Sequence, residues 1–202
     1  MIGDNVDVLL KYFKDLDDEQ IELFKKAGEI YREINKNVNL ISRKDIDNLY
    51  LHHILHSLAI VKYCKFNNKD NIIDVGTGGG FPGIPLAIYF KDIKFTLIDS
   101  IHKKINSVNI VVDRLCLKNV ETKCCRSEDL KEKYDIILGR GVSKVDIFLK
   151  MIKNLTKHGT KIIYLNGISD DYNNCKSKLI KDIFDEEYFD TKKITEIDCD
   201  ML

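Results

Sequence analysis

The chain carries no net charge, because 32 acidic side chains balance 32 basic ones among its 202 residues. This balance excludes a protein that binds nucleic acid through a large excess of Lys and Arg, although a local basic patch stays possible. Prolines are also scarce, with only two in the chain, so a Pro-rich linker between domains is not expected. An apolar fraction of 44% is typical of a globular chain, and the length predicts one domain with an extension.

Long apolar runs are missing as well. The best run, Ile84 to Phe90, is far shorter than the roughly 18 residues that a membrane span needs. The N-terminus carries acidic residues early and has no basic stretch followed by an apolar one, which argues against a secretory signal. We therefore expect no membrane association and a cytoplasmic location.

Metal-ligand patterns are absent from the cysteine spacing. The six cysteines form no CxxC pair, which predicts free thiols in a reducing compartment. His52 and His56 lie four residues apart, as metal ligands on a helix do, but no third ligand is near and no HExxH glutamate lies between them. We predict no metal site, and we expect His53 to be a core histidine with a hydrogen-bonded partner.

Residues 1–65 are predicted to form an N-terminal helical subdomain. Asp17 and Gln20 make a D-x-x-Q capping pattern, and apolar residues recur at helical spacing from there to Val38. A break is expected over 35–45, and a second helix from about Asp45 to Val61.

Residues 66–202 have a different pattern, in which short apolar runs alternate with helix-length amphipathic segments. Five runs, near 72–76, 95–99, 119–125, 134–139 and 160–166, predict strands, and helices are expected up to about Leu115 and over 144–156. This order predicts an α/β domain with a mostly parallel sheet and helices on both faces. For the last 30 residues we expect a helix around 172–184, followed by one or two edge strands.

The most informative segment is the glycine-rich stretch 71–86, where a strand leads into a turn with five glycines and then a helix near Pro85. Glycines let a backbone approach a ligand closely, and a helix N-terminus offers free N–H groups. Several classes of nucleotide-binding protein share this pattern, but the lack of GK[ST] excludes a P-loop.

Two acidic residues narrow the choice of ligand. Asp74 lies just before the first glycine, where a pyrophosphate would gain nothing from a negative charge but a cationic amino acid moiety would tolerate it. Asp99 ends the next strand, where a carboxylate can accept from both hydroxyls of a ribose. Together these features favour S-adenosylmethionine (SAM) as the ligand.

The chain resembles the GidB/RsmG family, bacterial methyltransferases that modify N7 of a guanine in 16S ribosomal RNA. The resemblance is collinear along most of the chain and is most specific in the Phe81–Ala87 segment FPGIPLA; the other matching segments include NLIS at 39–42, HHILHSL at 52–58, TLIDS at 96–100 and YDIILGR at 134–140. It implies a class I SAM-dependent methyltransferase fold, a 16S rRNA or small-subunit substrate, and SAM as cofactor.

The loop pattern and the resemblance together give the predicted site. The expected cofactor-binding residues are Asp74, Gly76, Gly78, Phe81, Asp99, Ser100, Ser127, Glu128 and Arg140. Arg140 is also the catalytic candidate, because it ends the fourth strand and could orient a guanine through O6; a surface or salt-bridged arginine is the alternative. A phosphate-contacting rim could include Arg43, Lys44, Lys103, Lys104, Arg114 and Lys144, and any positive potential is expected near Arg140.

Two departures from the family pattern are His56, where many members carry Asp, and Asn166, where many carry Lys. These two departures leave open the alternative that the protein is a scaffold that binds the cofactor but has no activity. Two further alternatives are a methyltransferase of the same fold that acts on a small molecule or a protein, and a nicotinamide-dependent oxidoreductase. Asp74 and Pro82 disfavour the oxidoreductase. The sequence does not give the oligomeric state, although a monomer is favoured.

Overall fold

A computed structural model describes residues 5–170, 172–173 and 175–201. The α-helices are α1 Asp7–Tyr12, α2 Asp18–Asn37, α3 His56–Tyr63, α4 Gly83–Tyr89, α5 His102–Leu115 and α6 Val145–Ile152. The strands are β1 Asn71–Val75, β2 Lys94–Asp99, β3 Val120–Cys124, β4 Ile136–Arg140, β5 Lys161–Gly167, β6 Lys176–Leu179 and β7 Lys192–Asp198.

The strands form one seven-stranded sheet in the order β3-β2-β1-β4-β5-β7-β6. Strands β1 to β5 run parallel, and β7 pairs antiparallel with both β5 and β6. The first five strands and the α5 and α6 segments therefore confirm the predicted α/β architecture. In β1, β2, β4 and β5 most side chains are buried on both faces, as expected for parallel strands covered by helices.

Each face of the sheet has its own group of buried apolar side chains. On one face, α1 to α5 pack against residues such as Ile72 and Leu97. On the other face, α6 packs against Ile73 and Ile137. Because β1 alternates between the two cores, successive residues at its carboxyl end face opposite sides, and Asp74 faces the α4 side.

The N-terminal helices begin as predicted. Asp17 accepts a hydrogen bond from the backbone N–H of Gln20, and the Gln20 side chain accepts one from the backbone N–H of Asp17, which completes a capping box. The second predicted helix is less regular than expected. It consists of a 3-10 turn over Ile46–Asn48, a π-helix over Leu49–Leu55 and then α3.

The prediction for the C-terminal segment is wrong in part. In the described part of 172–184 there is no α-helix; strand β6 occupies Lys176–Leu179 and a 3-10 turn follows at Ile180–Asp182. Apolar residues at 179, 180, 183 and 184 have helical spacing, but β6 pairs with β7, and this tertiary pairing overrides the local preference. A strand follows this segment as expected, but β7 is not an edge strand, because it pairs with β5 on one side and with β6 on the other.

The N-terminal helices and the sheet share one core, in which residues of α1 to α3 contact residues of α4, α5 and the strands. The division at residue 65 stays a prediction. Among the described residues, no helix is both long and apolar enough to span a bilayer.

Candidate active site

A cleft of about 440 Å³ opens at the carboxyl ends of β1, β2 and β4. The chain proceeds from β1 to β2 on one side and later returns to β4 on the other side of β1, so the cleft lies where the strand order reverses. In open α/β sheets, this is the place where ligands bind. Eight of the nine predicted site residues line the cleft: Gly76, Gly78, Phe81, Asp99, Ser100, Ser127, Glu128 and Arg140.

The glycine loop forms one wall of the cleft. Gly76 and Gly78 both have positive φ, at 70° and 59°, a conformation that glycine adopts without a steric cost. A Cβ on Gly76 would lie 2.8 Å from Val142 Cγ2, whereas a Cβ on Gly78 would meet no atom closer than 3.9 Å. The first glycine is therefore required by packing, and the second leaves space that a ligand can fill.

Asp99 forms the floor beside this loop, and its side chain is almost fully buried. Its Oδ2 accepts from the backbone N–H of Gly78 at 3.0 Å and lies 3.5 Å from Lys104 Nζ. Its Oδ1 accepts from the backbone N–H of Ile101 at 2.9 Å. An ionised carboxylate has about four acceptor sites, two on each oxygen, so Oδ1 keeps a free site for a ligand hydroxyl, and Oδ2 gains one if Lys104 moves away.

The far end of the cleft is polar. Buried Ser127 donates to the carboxylate of exposed Glu128 at 3.0 Å. The side chain of Asn154 holds the turn in place by donating to the backbone carbonyls of Ser127 and Leu130, both at 2.8 Å. The turn that follows β3 is thus held in place, and it carries hydrogen-bond acceptors at this end of the cleft.

Asp74 does not line the cleft, unlike the other predicted residues. It is fully buried, and its Oδ2 accepts from Thr77 Oγ1 at 2.6 Å and from the backbone N–H of Gly83 at 2.9 Å. Its Oδ1 is buried with no hydrogen-bond partner among the described residues. Burial raises the pKa of Asp74 to about 6. The contacts of Asp74 connect the two ends of the glycine loop, and its role in cofactor binding stays a prediction.

Arg140 lies at the mouth of the cleft, where its guanidinium is 5.0 Å from the centroid of the Phe81 ring. It donates from Nη1 to the backbone carbonyls of His52 at 3.3 Å and His53 at 3.5 Å. Its Nη2 lies 3.0 Å from His53 Nδ1. These contacts use three of its five N–H donors at most, so donors remain for a substrate. Burial lowers the pKa of Arg140, although the group stays protonated.

His53 and His52 share one carboxylate that the sequence did not single out. Asp45 Oδ2 lies 2.7 Å from His53 Nε2, and Asp45 Oδ1 lies 2.5 Å from His52 Nδ1. Burial, followed by the charge of Arg140, lowers the pKa of His53 to about 4. Burial alone would raise the pKa of Asp45, but the hydrogen bonds from the two histidines outweigh it and lower that pKa. His53 thus has the hydrogen-bonded partner expected for it.

Helix α2 also reaches the site. Tyr31 donates from its hydroxyl to the backbone carbonyl of Gly79 at 2.8 Å and stacks on Phe81 with ring centroids 4.9 Å apart. The sequence assigned Tyr31 only to the apolar stripe of the helix. Residues of the cleft wall that sequence reasoning missed include Ile101, Cys125, Arg126, Val142 and Met151. Lys104, predicted only as a member of the basic rim, also lines the cleft and could have been linked to Asp99 by its place one turn into the following helix.

The two departures from the family pattern lie away from the cleft lining. His56 is buried against Tyr188 and Phe189, and its Nε2 lacks a partner among the described residues. Asn166 donates to the backbone carbonyl of Asp170 and accepts from Thr195 Oγ1. One acidic cluster with metal-like geometry, Asp198, Cys199 and Asp200, lies at the opposite edge of the sheet, and the absence of a metal requirement stays a prediction.

Comparisons with known proteins agree with this geometry. The model of the GidB family, described as rRNA small subunit methyltransferase G, matches residues 20–194. The ribosomal RNA small subunit methyltransferase G of Christiangramia forsetii is 46% identical over 200 residues, which cover 94% of this chain and 95% of that protein. The protein of the same name from Flavobacterium johnsoniae is 45% identical, with 95% and 97% covered.

Solved structures share the fold at low sequence identity. MtNAS in complex with MTA and tNA is 13% identical with a TM-score of 0.59, over 90% of this chain and 73% of that one. Precorrin-6y C5,15-methyltransferase from Geobacter metallireducens is 12% identical with a TM-score of 0.51, over 79% and 91%. The sheet order, the cleft and the sequence matches lead to one conclusion: the chain belongs to the GidB family of small-subunit rRNA methyltransferases and has the class I SAM-dependent methyltransferase fold.

Proposed function

We propose that this protein transfers a methyl group from SAM to N7 of a guanine in the 16S rRNA of the small ribosomal subunit. The observation that carries the proposal is the joint placement of Asp99, the glycine loop and Arg140 around one cleft. Membership of the family sets aside the oxidoreductase and the methyltransferase of small molecules or proteins. The choice between free rRNA and an assembling particle stays part of the proposal, as do the cytoplasmic location and the monomeric state.

The residues present fit SAM. The open space above Gly78 can take the amino acid end of the cofactor beside the loop N–H groups. The Asp99 carboxylate has acceptor capacity for the ribose hydroxyls, and the Ser127–Glu128 turn can accept from the exocyclic amine of adenine. Phe81 lines the same cleft, although Tyr31 stacks on its ring and the Arg140 guanidinium lies over it. For Ser100 we propose a backbone or hydroxyl contact to the ribose, since it follows Asp99 directly and lines the cleft.

Asp74 takes a different role in this proposal. Because its Oδ2 holds Thr77 and Gly83, we assign it to keeping the loop closed around the cofactor end. Its Oδ1 has no hydrogen-bond partner among the described residues, and this assignment gives the carboxylate no direct contact with the cofactor.

The chemistry needs alignment more than proton transfer. Bound SAM supplies a methyl group that is already activated by its sulfonium. Guanine N7 carries a free lone pair, so the protein needs no base to remove a proton before attack. Fixing the two reactants in line can contribute about 7–11 kcal/mol, and the cleft residues are arranged for that task. Arg140 lies at the mouth of the cleft and has free N–H donors. It can therefore donate to O6 of a guanine, a hydrogen bond that arginine commonly makes.

Basic side chains at the mouth support an RNA substrate. Lys104 and Arg126 line the cleft, and Arg43 and Lys44 precede Asp45, which contacts the histidines beside Arg140. Lys103 and Lys144 lie at the starts of α5 and α6, at the same edge of the sheet. Arg114 does not belong to this group, because it lies in the last turn of α5 and pairs with Glu33.

The test of the function is mass spectrometry of 16S rRNA from cells with and without the gene. We expect the 7-methylguanosine signal to disappear without the gene and to return with the wild-type copy. A complementing copy with Arg140→Ala should restore little of the signal, whereas Arg114→Ala, at the opposite edge, should restore all of it. An unchanged signal in the deletion strain would remove the rRNA assignment. Calorimetry with SAM, its demethylated product and NAD should give binding of the first two only.

A further inference from the structure

Asp45 lies at the start of a helical segment but does not act as a helix cap. It immediately precedes the 3-10 turn Ile46–Asn48, and its side chain makes no capping hydrogen bond. Aspartate at this position usually accepts from the backbone of the following turn. Here both carboxylate oxygens are instead directed to the imidazoles of His52 and His53, at 2.5 Å and 2.7 Å. Helix capping therefore does not explain the placement of this side chain.

The protons between Asp45 and Arg140 have only one possible arrangement. His53 Nε2 faces Asp45 Oδ2, and His53 Nδ1 faces Arg140 Nη2 at 3.0 Å. An arginine only donates and a carboxylate only accepts. A neutral His53 must therefore accept from Arg140 at Nδ1 and donate its single proton to Asp45 from Nε2. The burial of His53 favours this neutral form.

His53 provides the shortest contact of the Arg140 guanidinium. The two backbone carbonyls that Arg140 also reaches lie at 3.3 Å and 3.5 Å, near the limit of a hydrogen bond. Phe81 lies 5.0 Å from the guanidinium carbon and provides a cation–π contact, which does not set the rotation of the guanidinium. The rotation therefore depends on the imidazole of His53, and the imidazole depends on Asp45.

We propose that Asp45 is a positioning residue for methyl transfer, which acts through His53 to hold the Arg140 guanidinium at the mouth of the cleft. This inference rests on the proposed role of Arg140 in orienting the substrate guanine. Asp45 is not part of the cleft lining among the described residues, so its effect falls on turnover and not on cofactor affinity.

Three variants test the inference with the purified full chain: Asp45→Ala, Asp45→Asn and the control Asp47→Ala. Asp47 is an exposed residue of the same type in the adjoining 3-10 turn. We expect Asp45→Ala to lower kcat on small-subunit particles about tenfold or more, with the SAM Kd within twofold of wild type. Asp45→Asn should recover part of kcat, because its amide oxygen can still accept from His53. Asp47→Ala should match wild type in both measurements.

A double-mutant cycle separates positioning from a general structural effect. If Asp45 acts through His53, the double variant with Asp45→Ala and His53→Ala should lose no more kcat than His53→Ala alone. His52→Ala, which removes the second imidazole on Asp45, should cost less kcat than His53→Ala, since its side chain does not touch Arg140.

Each outcome decides for or against the inference. Full kcat in Asp45→Ala, or fully additive losses in the cycle, would overturn it. Loss of SAM binding or of the folded state in both Asp45 variants would also overturn it, because the residue would then be structural. A wild-type protein without methyltransferase activity would instead remove the proposed function.

Discussion

The backbone N–H of Gly78 donates to Asp99 Oδ2 at 3.0 Å, so the acid at the end of β2 is attached to the glycine loop at the end of β1. The other carboxylate oxygen accepts from Ile101 at the start of the next helix. The carboxylate is thus fixed from two sides by backbone groups, with its remaining lone pairs available to a ligand. A binding group fixed in this way loses little entropy when the ligand arrives.

This relationship predicts the effect of changing Asp99. Asp99→Ala should weaken SAM binding by at least tenfold, because charge-assisted hydrogen bonds are worth about 1.5–3 kcal/mol each. Asp99→Asn should lose less, since the amide oxygen can keep one of the two backbone contacts. Isothermal calorimetry checks both variants, with exposed Asp92→Ala at the opposite edge of the sheet as control. Wild-type affinity in Asp99→Ala would mean that the carboxylate does not contact the cofactor.

Two glycines with positive φ give a matched test of packing. Gly76 and Gly159 have φ of 70° and 78°, but an added Cβ meets Val142 at 2.8 Å in the first case and nothing within 4 Å in the second. Both alanine variants carry the backbone strain of about 1–2 kcal/mol, and Gly76→Ala adds overpacking of about 1–3 kcal/mol. Urea denaturation should therefore show Gly76→Ala as clearly the less stable variant. Equal stabilities would contradict the close contact with Val142.

Asp74 is expected to act through the loop. Asp74→Ala should lower both stability and SAM affinity, because Thr77 Oγ1 and the backbone N–H of Gly83 lose their shared acceptor. Asp74→Asn should bind SAM and S-adenosylhomocysteine within about threefold of wild type, a difference of about 0.7 kcal/mol, since its amide oxygen can accept the same two bonds. The assignment to the loop is wrong if Asp74→Asn binds S-adenosylhomocysteine, whose sulfur is a neutral thioether, but no longer binds SAM. The charge of the Asp74 carboxylate would then act directly on the sulfonium.

His53 should make stability depend on pH in a defined direction. Its pKa is lowered from 6.5 to about 4 in the folded protein, so the unfolded chain binds the extra proton first as pH falls. The free energy of unfolding therefore includes the full contribution of neutral His53 above about pH 6.5, and this contribution is lost as the pH falls towards 4. Compared with His53→Gln, the wild-type melting temperature should therefore drop more steeply between pH 6.5 and 4. Parallel curves for the two proteins would show that His53 is not held neutral.

Much of the fold was predictable because its strands are buried on both faces and separated by amphipathic helices. The strand ends then brought Asp99, Ser127, Glu128 and Arg140 to one edge of the sheet, which is a consequence of parallel topology. The C-terminal segment was not predictable in the same way. Its apolar spacing fits a helix, and only the pairing of β6 with β7 decides for a strand.

The network around Arg140 was also beyond the sequence, for two physical reasons. Asp45 and His53 are eight residues apart, which would place them on one face of a regular α-helix but about 12 Å apart along its axis, whereas the 3-10 turn and the π-helix over Leu49–Leu55 bring the two side chains into contact. The contact between His53 and Arg140 joins positions 87 residues apart. No periodicity in the sequence reports such a contact.

The contact of Tyr31 with the glycine loop has a consequence for how such proteins change over evolution. Because α2 supplies both a donor to the Gly79 carbonyl and a ring against Phe81, we expect an exchange of the N-terminal helices between relatives to disturb the glycine loop. A chimera that joins the helices of one member to the sheet of another inherits a working cleft only if these contacts match across the junction. The helical segment is therefore a structural part of the cleft wall and not an independent attachment to the sheet.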